Sequence, residues 1–209
     1  MNKIGKLISV LYRSPTPESV YAYSPGVCVL PSGRIVATMD LGGPGVAELD
    51  GVKGTIGKIQ VKGKIFISDD GGESWRFITD TPMMHARPFV AGSSVYVLGH
   101  EQDLTIVRSD DDGESWTAPA RLTEGQYWHQ APCNVLYSNG NVYLVMERNL
   151  EPTATLWPVA TLVPVLMRGS CEDDLTKREN WMFASEMCCR DTLDIQKLGY
   201  FAISELLLY

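Results

Sequence analysis

One short pattern occurs twice in the 209 residues and limits the fold more than anything else in the chain. Residues 68–75 read SDDGGESW and residues 109–116 read SDDDGESW. Both fit S-x-D-x-G-x-S-W, and the closing tryptophans, Trp75 and Trp116, stand 41 positions apart. Five residue types recurring at fixed spacing mark an internal repeat. Each copy has the chemistry of a tight turn. Asp70 or Asp111 can accept hydrogen bonds from amides of its own turn, Gly72 or Gly113 can take positive φ, and the Ser68 or Ser109 hydroxyl can add a local bond. Trp75 and Trp116 are then expected to pack between adjacent sheets. The acidic runs lack the Glu that closes an EF-hand loop, so they are read as turns and not as calcium ligands.

The text between the turns is strand-like. Each turn follows an alternating segment, KIFIS at 64–68 and LTIVRS at 104–109. Upstream lie paired apolar segments joined by glycine-containing turns: GVCVL and RIVATMD within 26–40, PFVA and VYVLGH within 88–100, and PCNVLY and VYLVMER within 132–148. A further strand is expected near Thr161–Arg168, followed by a longer turn that keeps Ser170 and Trp181. Short strands at regular spacing predict an all-β array of four-stranded units. One domain is expected, with units at about 20–80, 81–124 and 125–185 and a partial fourth at 186–209. The last residues end in an apolar run, Leu206 to Leu208, with no returning strand. The chain is therefore expected to be the N-terminal part of a longer protein.

Paired turns of this form resemble the Asp boxes of sialidases (neuraminidases) and related BNR-repeat β-propellers, over roughly residues 20–185. The resemblance implies a propeller with about three to four blades present, an incomplete ring, and a structural role for Ser68, Asp70, Gly72, Trp75, Ser109, Asp111, Gly113 and Trp116. It also implies an exo-acting glycosidase that takes a terminal, anionic sugar as substrate. In that family an Asp on the long connection of the first blade is the general acid, and Asp50, in AELDGV, matches that place best, with Asp40 second. The alternatives are a propeller that binds carbohydrate or protein without catalysis, or an inactive fragment. Tyr23-Ser24-Pro25 stands where the family has Tyr-Arg-Ile-Pro or Phe-Arg-Ile-Pro, so its first arginine has no counterpart here.

If strands A to D of each blade run outward and antiparallel, the starts of the A strands and the ends of the B strands share one rim, away from the Asp boxes. That rim collects Tyr23, His85, Arg87, Tyr127, His129 and Gln130 from the A side, and Asp40, His100, Glu101, Glu147 and Arg148 from the B side. It holds all three histidines of the chain. Loops and strand ends on a rigid scaffold are where a polar ligand is normally met. The long, glycine-rich connection from Leu41 to Lys62 reads as functional for the same reason. No H-x-x-x-H spacing suggests a metal, and no cofactor is expected.

Composition narrows the partners. With 44% hydrophobic and 21% charged residues the chain can build a core, which excludes disorder. A net charge of -7 gives no basic footprint for nucleic acid or an anionic membrane. The longest nearly apolar run, Ala154 to Met167, is broken by Pro158 and Pro164 and is too short to span a bilayer. The N-terminus lacks the features of a secretory leader, so a cytoplasmic location is the default expectation. Cys28, Cys133, Cys171, Cys188 and Cys189 form an odd set without CxxC spacing and are read as buried free thiols.

Overall fold

The computed structural model describes residues 9–129, 135–153 and 161–186. They form three antiparallel blades. The first orders β1 (Tyr21–Val29), β2 (Ile35–Gly42), β4 (Ile59–Ser68) and β5 (Arg76–Thr81), with the short β3 (Gly54–Ile56) added to the start of β4. The second orders β6 (Met84–Ala91), β7 (Ser94–Glu101), β8 (Asp103–Ser109) and β9 (Ala120–Arg121). In the third, β10 (Trp128–His129) and β11 (Leu136–Ser138) both pair with β12 (Asn141–Asn149), followed by β13 (Leu162–Ser170) and β14 (Trp181–Phe183). Gln130, Cys133, Cys188, Cys189 and residues 187–209 of the expected fourth unit lie outside the described residues.

Strand periodicity explains how the blades stack. Along β7, Val95 and Val97 face the first blade while Tyr96 and Leu98 face the third, so alternate residues fill two different cores. Because both faces are covered, this strand reads as an almost continuous apolar run. In β13 only one face is covered: Val163, Val165 and Met167 point inward and Pro164, Leu166 and Arg168 outward. Each fully buried Leu or Phe contributes roughly 2 kcal/mol, so these inter-blade layers carry the stability of the stack.

The two repeated turns have the same hydrogen bonds. Ser68 Oγ accepts the Gly72 amide and donates to Asp70 Oδ1, both at 2.8 Å, while the Ser74 amide and hydroxyl donate to Asp70 at 2.9 and 2.5 Å. Ser109, Asp111, Gly113 and Ser115 repeat these distances. The donors hold both aspartates down, to about 2. Trp116 packs on the core between blades one and two, whereas Trp75 packs on the outer face of blade one with Met39 and Phe66. Arg34 bridges the turns by pairing with Asp69 at 2.6 Å and Glu114 at 2.8 Å. Such exposed pairs stabilise far less than the core they decorate.

The inner strands β1, β6 and β11 line a common cleft of about 1030 Å³. Gly26 is required there, since a Cβ would fall 2.6 Å from Thr38 Oγ1 and 2.8 Å from Pro88. Cys28 and Cys171 line the same cleft and are half-buried, less enclosed than the sequence suggests, because β1 and the 171 turn meet the opening. Burial still pushes the Cys28 thiol up to about 12. No helix among the described residues is long and apolar enough to cross a membrane.

Candidate functional site

Strand register assembles the rim. Tyr23 lies opposite Asp40, Met84 opposite His100, and His129 opposite Glu147. The starts of the inner strands and the ends of the second strands therefore meet at one end of the blades, and the repeated turns sit at the other. A bulge interrupts β1 between Tyr23 and Gly26 and another interrupts β6 between Met84 and Arg87. Within them Ser24 and His85 both adopt φ of 52°. Non-glycine residues rarely take this conformation, and such positions gather where a bulge re-aims groups at a site.

Here the bulges are aimed at Asp40. The His85 amide donates to Asp40 Oδ2 at 2.5 Å, which ties the end of the second strand of blade one to the inner strand of blade two. Asp40 has no exposed surface. Burial pushes its carboxyl up to about 7, against the opposing pull of the His85 amide, the Ser24 hydroxyl and the Ala86 amide. Desolvation outweighs the donors, and Asp40 Oδ1 has no hydrogen-bond partner among the described residues. Tyr23 lies across Gly42, where any Cβ would collide with its hydroxyl, and burial and the Asp40 charge raise the phenol.

The three histidines converge beside Asp40. His85 Nδ1 and His100 Nε2 share a hydrogen bond of 2.9 Å, and the ring of His129 stands edge-on to His85 with centroids 4.4 Å apart. Burial, then the neighbouring imidazole charge, lowers His85 to about 3, and the same causes lower buried His100 well below the usual imidazole range. Both rings are neutral at physiological pH. Among the described residues His100 Nδ1 has no hydrogen-bond partner, an unsatisfied polar atom at the centre of the cluster. The outer end of the cluster meets solvent through His129, whose Nδ1 lies 3.4 Å from Glu147 Oε2. With His85 and His100 bonded to each other, the rings do not converge on a shared cation, and no group of three or more His, Cys, Asp or Glu among the described residues is arranged to hold a metal.

The other residues assigned to the rim are placed differently. Glu101 ends β7 and lies 4.0 Å from Arg121. Arg87 is buried and lines the inner cleft. The carbonyl of Tyr127 accepts the Asn149 amide at 2.7 Å. Arg148 pairs with Glu186 at 2.6 Å and lines a groove between blades two and three instead of joining the histidines.

Asp50 sits on the long connection, where its carbonyl, with that of Val52, accepts from Lys62 Nζ at 2.7 and 2.9 Å. Buried Lys62 completes its three donors on Asp80 at 2.6 Å, so this cation fixes the loop. Among the described residues, the Asp50 carboxylate makes no hydrogen bond to the histidine cluster. Sequence reasoning missed both Ser24, whose hydroxyl bonds Asp40, and Lys62, which fixes the loop that carries Asp50. The serine carried a signal, since it stands where an arginine was sought.

No family model and no curated relative matches the chain. Solved structures match in fold. An α-L-arabinofuranosidase from Lactobacillus brevis has TM-score 0.54 and 15% identity over 83% of this chain and 58% of its own. A GH62 hydrolase in complex with xylotriose has TM-score 0.51 and 8% identity over 86% and 56%. An α-L-arabinofuranosidase from Podospora anserina in complex with cellotriose has TM-score 0.50 and 10% identity over 88% and 55%. The all-β, bladed architecture is thus that of about half of a propeller glycosidase chain. At these identities the likeness is one of fold.

Proposed function

We propose that this rim is the working end of an exo-acting glycoside hydrolase, with Asp40 as proton donor and Glu147 as the second carboxylate. Asp40 carries the proposal. Glycoside cleavage needs one carboxyl that keeps its proton near neutral pH and another that is ionised, and burial keeps Asp40 protonated up to about pH 7. Glu147, half-exposed beside His129, has the contrasting environment. Neutral His85 and His100 border the site without repelling positive charge that develops at the anomeric carbon. Because Asp40 has no exposed surface, the bulge around His85 must open when the sugar enters.

For the donor sugar, the arabinofuranosides in the names of two fold neighbours and the sialosides associated with Asp boxes are the first two classes to test. Arg87 is buried and Arg148 is paired with Glu186, so neither supports a sialidase-like carboxylate clamp, and a neutral terminal sugar is favoured. In a panel of p-nitrophenyl glycosides that includes α-L-arabinofuranoside, β-D-xyloside and α-sialoside, one member is expected to be hydrolysed. The rate should fall as pH rises through about 7, and Asp40→Asn should lower kcat at least ~100-fold. No turnover on the panel by folded protein would sink the hydrolase proposal. The burial of Asp40 favours a second reading, sugar binding without cleavage, which retention on an arabinan or xylan gel without released product would select.

A further inference from the structure

Beside the histidine rim, between blades two and three, lies a separate groove of about 580 Å³. Three guanidiniums line it, Arg121 at the end of β9, Arg148 at the end of β12 and Arg178 before β14, against two carboxylates, Glu124 and Glu186, the second of which is taken up by Arg148. Trp128 and Phe183 form its aromatic wall, edge to face with centroids 5.9 Å apart. The Trp128 indole N–H is satisfied by Gln126 Oε1 at 3.1 Å, so the ring is held in one orientation.

The arginines differ in how far they are neutralised. Arg148 pairs closely with Glu186, and Arg121 is largely exposed with Glu101 no nearer than 4.0 Å. The Arg178 guanidinium carbon stands over the Phe183 ring at 4.0 Å from its centroid, and the Nη1 group donates to the Trp181 carbonyl at 2.8 Å. A guanidinium held by a ring contact and one carbonyl keeps further N–H donors, which a planar carboxylate can accept in pairs. In a chain of net charge -7, a groove that combines arginine with aromatic walls selects a sugar bearing negative charge.

We propose that this groove is a secondary carbohydrate site that takes uronate residues of an acidic polysaccharide, with Arg178 and Arg121 as the carboxylate ligands. It rests on the glycan reading of the rim only in assuming that a sugar chain crosses this end of the blades. The site lies off the axis and uses none of the histidine cluster.

The test is calorimetric titration of the full chain with trigalacturonate and, as the neutral probe, xylotriose. Trigalacturonate is expected to bind at least tenfold more tightly than xylotriose, with affinity falling as salt is raised. Arg178→Gln should weaken it about tenfold and the exposed Arg121→Gln a few-fold, each with an unchanged melting midpoint. Asp40→Asn should bind trigalacturonate like the parent. Failure of glycoside turnover together with intact trigalacturonate binding would overturn the hydrolase proposal and leave the groove standing. Equal affinity for the two probes would overturn the groove. If Arg178→Gln alters folding, undiminished binding by Arg121→Gln also overturns it.

Discussion

Asp40→Asn is expected to stabilise the folded protein above pH 7 and to leave its stability nearly unchanged below about pH 4. The sign follows from which state holds the proton. Burial raises the Asp40 carboxyl to about 7, so between pH 4 and 7 the folded chain keeps a proton that the unfolded chain has released. The Asp40 contribution to the parent's stability falls through that window and then levels off. A displacement of roughly three pH units corresponds to about 4 kcal/mol, or on the order of 10 °C in melting midpoint for a domain of this size. Asparagine keeps an oxygen to accept the His85 amide and carries no charge, so it escapes the loss. Thermal melts of parent and variant from pH 4 to 8 should diverge steadily. A constant gap, or a variant that is less stable at every pH, would mean that Asp40 is an ordinary ionised carboxylate held by its donors.

The second large effect runs in the opposite direction. Acid is expected to unfold the protein early, because His85 and His100 stay neutral in the fold while the unfolded chain protonates both below about pH 6.5. The His85 displacement alone, down to about 3, is on the order of 4 kcal/mol, lost progressively as pH falls from 6.5 toward 3. Asp40 offsets part of this between pH 4 and 6.5, so the net slope there is about one histidine's worth. The aspartates of the repeated turns titrate in the folded chain only near pH 2, so they cannot account for destabilisation between pH 4 and 6.5. His100→Gln, which can still hydrogen-bond His85, should flatten the dependence of the melting midpoint on pH between 6.5 and 4. An unaltered slope in that variant would show that His100 is not a buried neutral base.

The bladed fold was legible because the repeated turn satisfies itself. Ser, Asp, Gly and Ser bond within eight residues, so their spacing alone specifies the turn, and the apolar alternation on either side specifies the strands. The rim was partly legible for the same reason: antiparallel order places Asp40, His85, His100, His129 and Glu147 at one end whatever the side chains do. What sequence could not supply was the surroundings of Asp50 and Asp40, on which the proposed choice between them rests. The resemblance puts Asp50 first and Asp40 second; in the structure Lys62, buried against Asp80, binds the Asp50 loop by its carbonyls, while the backbone of a bulged His85 reaches Asp40. A positive φ at Ser24 or His85 leaves no mark in a sequence, since neither residue type requires it. Arg121 lies on the outermost strand of its blade and Arg178 just before the outermost strand of its own, outside the first two strands from which antiparallel order defines the rim.

Carboxyl ¹³C NMR titration of the aspartates tests the central claim without knowledge of any substrate. One aspartate, identified as Asp40 by its absence in Asp40→Asn, should titrate near pH 7 in the folded protein. A titration of that group in the ordinary range near pH 4 would contradict the account, because the proposed proton donor would then be ionised at neutral pH.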